Sequence, residues 1–266
     1  MRVFNLDLHM HSVLSPCGDL EMGLGDIARR AAEVGLDGLA LTDHNSCANV
    51  RGLMDAAEAL DTPLWIIPGC EVQTEEDIHV VALFDQVDAA MDFQDWLFER
   101  LGPVMNDPDV FGYQLVVDKD GNILDQVEKL LVQGISADVD RVLHEIRTRN
   151  GISILSHVDR PSFSYTAVLG PIPEDLDVDA IEISSRASDQ QAADLMTSLP
   201  EGRFPFIRSS DAHNLSQISL ERCTKFLLDK PSFEELRLAF RGEGGRGILE
   251  PWRFPPDIPI GGAGVE

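Results

Sequence analysis

Short apolar runs alternate with amphipathic segments along most of the chain. Apolar residues spaced three and four apart predict helices, and short apolar runs bounded by glycine or proline predict buried strands. The predicted strands lie at residues 3–8, 36–41, 64–67, 78–84, 152–155, 180–183 and 204–207, with a further short one at 226–228. The predicted helices lie at residues 25–34, 48–60, 88–101, 137–150, 187–199 and 233–240. This order predicts an α/β protein with about seven main strands in a largely parallel sheet, either an incomplete barrel or an open doubly wound sheet.

The alternation breaks down between residues 88 and 137. Two short apolar runs in this segment flank the sequence DKDG at 118–121, which predicts a β-hairpin. We therefore expect a barrel domain at 1–87 and 138–241 that is interrupted by an insertion at 88–137. The tail at 242–266 is rich in glycine and proline, so we expect it to lack regular structure.

The charge balance narrows the class of partner. The 266 residues include 46 acidic and 21 basic side chains, for a formal charge of −25. Such a surface repels polyanions, and no basic stripe marks a nucleic-acid face. We therefore expect neither a long nucleic acid nor an anionic membrane as partner. A small anion can still bind where metal ions reverse the local charge.

Neither the N-terminal residues nor any apolar run predicts export or membrane insertion. The first residues lack the pattern of a signal peptide, and no apolar stretch approaches the roughly 18 residues that span a bilayer. The four cysteines form no CxxC pair, and they are Cys17, Cys47, Cys70 and Cys223. We expect a cytoplasmic protein with reduced thiols.

The histidines cluster at the ends of predicted strands. Five of the seven come just after a strand, namely His9, His11, His44, His157 and His213. His79 lies early in the fourth predicted strand, and only His144 falls in a predicted helix. Acidic residues accompany them at Asp7, Asp43, Glu71 and Asp211. In barrels and open parallel sheets, functional sites form at the carboxyl ends of the strands.

Same-facing pairs of donors strengthen this prediction. Because side chains in a strand alternate between faces, His9 and His11 point the same way, as do Asp211 and His213. A single histidine at a strand end is usually a hydrogen-bonding surface residue. The whole set, however, predicts polynuclear metal binding, with His144 as an ordinary helix residue.

Six sequence elements together resemble the polymerase and histidinol phosphatase (PHP) family of metal-dependent phosphoesterases. They are DLHMHS at 7–12, Asp19, LTDHN at 41–45, GCEV at 69–72 with IHVV at 78–81, LSHVDR at 155–160 and SSDAH at 209–213. The short spacing from Glu71 to His79 resembles the small stand-alone members that act on nucleotides or RNA ends. The resemblance implies a distorted seven-stranded (β/α)7 barrel of the PHP type, with the inserted segment, and a trinuclear metal centre.

The resemblance also implies a set of metal ligands. The first metal would be bound by His9, His11, Glu71 and Asp211. The second would be bound by Asp19, His44 and His213. The third would be bound by Glu71, His79 and His157. Asp7 and Asp43 would orient the imidazoles from behind. Because all nine donors offer nitrogen or oxygen, two or three ions of Mn²⁺, Fe²⁺ or Zn²⁺ are the expected cofactors.

The expected reaction is hydrolysis of a small phosphate ester by a metal-activated hydroxide. The substrate class is a nucleotide, a nucleoside bisphosphate or an oligonucleotide end. Glu71, Asp211 and Arg160 are the expected catalytic residues. Arg160, Arg186 and Arg208 lie near strand ends and are candidates to bind phosphate, although each is equally well explained as a surface or ion-paired residue.

Two other functions stay open. One is an amidohydrolase-like hydrolysis of a non-phosphate substrate, since those enzymes also carry an HxH motif after their first strand. They usually add a bridging lysine, and no lysine follows the strands that carry the histidines here. The other is a non-catalytic metal-binding module, which would have no reason to keep so many donors. The substrate, the native metal and the oligomeric state stay open.

Overall fold

The computed structural model describes residues 1–199 and 203–249. Within them lie the strands β1 (Arg2–Asp7), β2 (Gly38–Leu41), β3 (Trp65–Gln73), β4 (His79–Leu83), β5 (Leu115–Val117), β6 (Ile123–Gln126), β7 (Ile152–Leu155), β8 (Ala180–Glu182), β9 (Phe206–Ile207), β10 (Thr224–Leu228) and β11 (Gly247–Leu249). The α-helices are α1 (Leu24–Val34), α2 (Val50–Glu58), α3 (Val87–Phe98), α4 (Pro108–Phe111), α5 (Val139–Thr148), α6 (Tyr165–Val168), α7 (Asp189–Ser198) and α8 (Phe233–Arg241). Two 3-10 turns are Leu215–Gln217 and Leu220–Arg222.

Nine of the described strands form one sheet in the order β11-β10-β1-β2-β3-β4-β7-β8-β9. The two sides of this sheet meet beyond β1 and β9, where Met10 forms a parallel bridge with Ala212. There the Asp211 N–H donates to the His9 carbonyl at 2.9 Å, and the His11 N–H donates to the Ala212 carbonyl at 3.0 Å. The sheet therefore nearly closes into a barrel, which confirms the mixed α/β class and favours the barrel over the open sheet.

Two expectations about the sheet were wrong. It has nine strands instead of seven main ones, because the further strand predicted at 226–228 joins the sheet as β10 and the unpredicted β11 extends it by one more. It is also only half parallel, since β4 runs antiparallel to both β3 and β7, and β10 runs antiparallel to β1 and β11. The link from β3 to β4 is too short for the crossover that parallel strands need, so the two strands form a hairpin.

The barrel strands and helix α8 share one apolar cluster. Buried strand side chains such as Phe4, Ile67 and Ile154 belong to it together with Phe233 and Phe240 of α8. Helix α8 also donates from a guanidinium to the carbonyl of Asn150, just before β7, at 2.7 Å. Asn150 precedes the amino end of β7, whereas His157 follows the carboxyl end of that strand. Helix α8 therefore covers the end of the barrel that is opposite the histidines. A second, larger cluster packs the helices against the outside of the sheet.

The segment between β4 and β7 contributes no strand to the nine-stranded sheet. It holds α3, α4, α5 and the predicted hairpin, in which β5 pairs antiparallel with β6. The Asp118 carboxylate closes the turn by accepting the N–H groups of Asp120 and Asn122, each at 2.9 Å. The division into a barrel at 1–87 and 138–241 and an insertion at 88–137 stays a prediction.

The start of the C-terminal tail also differs from expectation. Gly247–Leu249 forms β11, because its backbone pairs with the free edge of β10. Residues 250–266 of the predicted irregular tail lie outside the described residues. Among the helices that are described, none has the length and apolar character to cross a bilayer.

Asn49 joins the segment with the hairpin to the barrel. Its buried amide Nδ2 donates to the Leu115 carbonyl at 3.0 Å and to Ser12 Oγ at 2.9 Å, and its Oδ1 accepts the Val117 N–H at 3.0 Å. Asn49→Ala leaves these buried groups without a partner, so we expect the free energy of unfolding to fall by about 2–4 kcal/mol. Limited proteolysis should then cut near the hairpin faster than in the wild type.

The matched control is Asn122→Ala, which removes an exposed amide within the hairpin turn. It should change the free energy of unfolding by less than about 0.5 kcal/mol. Equal melting and equal proteolysis of the two variants would show that Asn49 does not hold the hairpin.

Candidate metal centre

The strand ends bring six histidines and two carboxylates to one end of the barrel. His9 and His11 follow β1, His44 follows β2, and His157 follows β7. Strand β4 runs the opposite way, so its first residue, His79, lies at the same end. The position of His79 early in its strand is therefore explained by the antiparallel direction of β4.

Glu71 lies at the middle of this group. It sits in β3, is 1% exposed, and its carboxylate faces imidazoles from five positions. The nearest nitrogen–oxygen distances to it are 3.2 Å from His9, 3.5 Å from His11, 3.2 Å from His44, 3.1 Å from His79 and 3.3 Å from His157. Burial alone would raise the pKa of Glu71, but the charges of His79 and His9 hold this pKa well below its usual range. Glu71 is therefore a buried anion that all five imidazoles share.

Asp211 is the second carboxylate of the centre. Its Oδ1 lies 3.1 Å from His11 Nε2 and 3.5 Å from His9 Nε2, and its Oδ2 accepts a hydrogen bond from the Arg160 guanidinium. Burial by itself would raise the pKa of Asp211. The charge of His9 and the hydrogen bond from His11 outweigh the effect of burial, and they hold this pKa well below its usual range. Asp211 and Glu71 therefore face the same two imidazoles.

Supporting side chains determine which nitrogens of His9 and His11 face the carboxylates. His9 Nδ1 lies 3.1 Å from both oxygens of the buried Glu182. His11 Nδ1 lies 3.1 Å from Ser15 Oγ, whose hydroxyl donates its hydrogen to Asp43 at 2.7 Å. Both Nδ1 atoms therefore carry hydrogen as donors, so Nε2 is the nitrogen of each ring that faces Glu71 and Asp211 and that can offer a lone pair to a cation.

A lone pair that faces a carboxylate is unfavourable unless a proton or a cation lies between them. Four buried imidazole nitrogens lack a hydrogen-bond partner within the described part of the chain, namely His9 Nε2, His44 Nδ1, His79 Nε2 and His157 Nδ1. Unpaired buried polar atoms are costly in a folded protein. The residues present therefore fit divalent cations, which nitrogen and carboxylate donors bind.

Three groups of donor atoms are close enough to share a metal ion. They are His9 with His11 and Glu71, His44 with Glu71 and His79, and His11 with His44 and His213. The ligands predicted for the second metal were Asp19, His44 and His213. In the structure His11, and not Asp19, completes the group with His44 and His213. Asp19 is exposed, and its backbone N–H donates to the His213 carbonyl at 2.8 Å, but its carboxylate belongs to none of the three groups.

The backbone is strained at three positions of this centre. Asn45, His157 and Asp211 have φ of 47°, 31° and 48°, in the left-handed region that residues other than glycine seldom adopt. Such strain persists only where the surroundings hold it, and it is common at functional sites.

Glu182 was missed by the sequence analysis. It ends β8, is 1% exposed, and accepts the His157 N–H at 3.1 Å besides facing His9. A single glutamate within the apolar run 180–183 was the signal that could have revealed it. Asp7, in contrast, was expected to orient an imidazole, but it accepts the Ser210 N–H at 2.9 Å and so links β1 to the segment after β9. Burial raises the pKa of Asp7 to about 7.

The three predicted arginines lie in different surroundings. Arg160 contacts the centre through Asp211. Arg186 is exposed on the loop after β8. Arg208 is buried, and its guanidinium donates to the Ala187 carbonyl on that same loop at 3.1 Å. Only Arg160 of the three has a described contact with the histidine and carboxylate group.

Solved structures share this fold at low sequence identity. Endonuclease Q from Pyrococcus furiosus, described as a lesion-specific endonuclease, is 19% identical with a TM-score of 0.62, and the match covers 94% of this chain and 60% of that one. An endonuclease Q complex with a 27-mer duplex substrate that carries an abasic lesion at the active site is 18% identical with a TM-score of 0.65, covering 93% and 58%. A putative metal-dependent phosphoesterase from Bifidobacterium adolescentis is 18% identical with a TM-score of 0.52, covering 79% and 87%.

The chain thus spans about three-fifths of the length of the endonuclease Q chains. None of the curated proteins matches it. The sequence model of the PHP domain matches residues 7–157. Two of the donor groups that can hold a metal, formed by His9, His11, His44, Glu71 and His79, lie within the matched residues. The matched residues make up more than half of the chain, which therefore belongs to the PHP domain family.

Proposed function

We propose that this protein is a phosphoesterase that hydrolyses a small phosphate ester at a centre of two or three divalent ions. One observation carries the proposal: the buried Glu71 carboxylate lies within 3.5 Å of five imidazoles, two of which, His9 and His11, turn Nε2 toward it. A group of this composition is stable when cations neutralise the carboxylates and occupy the lone pairs.

The ligand sets follow from the three groups of donors. His9, His11, Glu71 and Asp211 would hold a first ion. His44 and His213 would hold a second ion, with His11 or Asp19 as a further donor. Glu71, His79 and His157 would hold a third ion. With no thiolate among these donors, Mn²⁺, Fe²⁺ and Zn²⁺ are the ions of choice. When bound, such ions supply positive charge for phosphoryl oxygens and acidify a water to serve as nucleophile.

The chain's own residues orient the substrate. The Arg160 guanidinium is bonded to Asp211 on one side, and its buried Nε has no hydrogen-bond partner in the part of the chain that is described. That N–H group is free to donate to a phosphoryl oxygen and to stabilise charge as the ester bond breaks. Glu182 and Ser15 keep the hydrogens of His9 and His11 on Nδ1. Arg186 and Arg208 stay predictions as further phosphate ligands.

The charge of the chain limits the size of the substrate. A duplex with an abasic lesion occupies the endonuclease Q complex, which makes a nucleic-acid phosphate a reasonable substrate class for a protein of the same fold. The formal charge of −25 opposes the approach of a long duplex. We therefore propose a nucleotide, a nucleoside bisphosphate or an oligonucleotide end. None of the contacts described at the centre involves a lysine, which disfavours the amidohydrolase alternative.

Metal analysis tests the centre directly. Protein reconstituted with Mn²⁺, Fe²⁺ or Zn²⁺ and then desalted should retain two or three ions per chain, measured by plasma mass spectrometry. His9→Ala should lose at least one ion and nearly all phosphatase activity, because a first-ion ligand is gone. His144→Ala is the control, since His144 is exposed on α5 outside the centre. Fewer than one ion per wild-type chain would overturn the centre, and full activity of His9→Ala would overturn the mechanism.

Glu182→Gln tests the support of His9. The neutral amide accepts the Nδ1–H less strongly and makes the imidazole a weaker donor, so we expect metal affinity to fall about tenfold. Competition with a chromogenic chelator measures that affinity. Glu174→Gln, a change at an exposed glutamate, should leave it unaltered. Equal affinities for the two variants would remove Glu182 from the support of the centre.

Arg160→Ala tests the phosphate contact. Losing a charge-assisted donor should lower kcat/KM for a nucleotide substrate about 100-fold, while metal content stays at the wild-type level. The control is Arg237→Ala on α8, at the opposite end of the barrel. A loss of metal in parallel with activity would instead assign Arg160 to holding Asp211.

A further inference from the structure

Phe163 is an exposed aromatic residue that lies directly against the metal centre. Its ring stacks on the imidazole of His79, with ring centroids 4.8 Å apart and planes inclined by 27°. Its carbonyl accepts the His79 N–H at 3.0 Å, yet 43% of the residue stays open to solvent. One face of the ring therefore packs on the centre while much of the side chain faces outward.

The backbone holds Phe163 in a conformation that phenylalanine seldom adopts. Its φ is 56°, in the left-handed region. Ser164 supports this conformation, because its hydroxyl donates to the Arg160 carbonyl at 2.6 Å and accepts the Ala167 N–H at 3.2 Å. The same loop thus carries Arg160 and Phe163. A strained and exposed aromatic residue beside a reaction centre is poorly explained by packing alone.

We propose that Phe163 is a stacking platform for the base of a nucleotide whose phosphate lies at the metal centre. This inference rests on the proposed function and narrows its substrate class to phosphate esters that carry a base. Every nucleobase has a flat π face, so one aromatic ring binds all of them without reading their identity. Stacking also needs no positive surface, which suits a chain with a formal charge of −25.

A pair of substrates that differ only in the base tests the platform. AMP and ribose 5-phosphate offer the same phosphate ester, and only AMP can stack. Phe163→Ala should lower kcat/KM for AMP about tenfold, mainly through KM, and leave kcat/KM for ribose 5-phosphate unchanged. Phe163→Trp should keep the wild-type preference for AMP. Leu124→Ala, which removes an exposed apolar side chain on β6, should alter neither substrate. Equal losses with both substrates would overturn the platform.

Fluorescence separates this inference from the proposed hydrolysis. In metal-loaded Phe163→Trp, with the wild-type signal subtracted, AMP should quench the added tryptophan and ribose 5-phosphate should not. Quenching by AMP in a protein that hydrolyses no nucleotide, nucleoside bisphosphate or oligonucleotide end would overturn the phosphoesterase proposal and keep the platform. Hydrolysis of both compounds without quenching would overturn the platform and keep the phosphoesterase.

Discussion

The Glu71 carboxylate is a buried charge on which the arrangement of this end of the barrel depends. A carboxylate removed from water is costly unless opposite charge or hydrogen-bond donors surround it. Here the surrounding groups are imidazoles from the ends of β1, β2, β4 and β7, each about 3 Å away. Those strand ends must therefore converge on β3, and the sheet that brings them together curves until β9 meets β1.

A second group of polar contacts keeps the imidazoles in position. Asp43 accepts hydrogen bonds from the Ser12 N–H and hydroxyl and from Ser15, each at 2.7 Å, and Ser15 in turn meets His11. Glu182 joins His9 to the backbone of His157. Because these partners hold one nitrogen of each ring, they also determine which nitrogen faces the carboxylates. The orientation of the imidazoles thus depends on Asp43, Ser15 and Glu182, which belong to none of the three donor groups that could hold a metal.

Much of this centre could be predicted from the sequence because its donors lie within short motifs. The residues of DLHMH and SSDAH lie together because strand periodicity points their side chains the same way and the barrel brings the two strand ends into contact. The resemblance to the PHP family is confirmed. Asp19 differs, because its predicted role came from the family resemblance alone, and its side chain lies on a loop, where nothing periodic constrains it. Glu182 went unnoticed because a single acid in an apolar strand has no motif. The predicted number of strands was too low because β11 was not foreseen. This strand forms by pairing with the free edge of β10, and such pairing depends on a free edge and not on a local sequence pattern.

The sequence by itself determined the α/β class, the family and the set of histidines and acids at strand ends, because these depend on local periodicity and residue chemistry. The tertiary structure decided the direction of β4, and with it why His79 belongs to the centre. It also decided the pairing of Glu182 with His9, across 173 residues of chain, and the approach of Phe163 to His79. Contacts of that kind arise from the closure of the barrel, which brings distant segments together, and no short stretch of sequence specifies which partner a residue will meet.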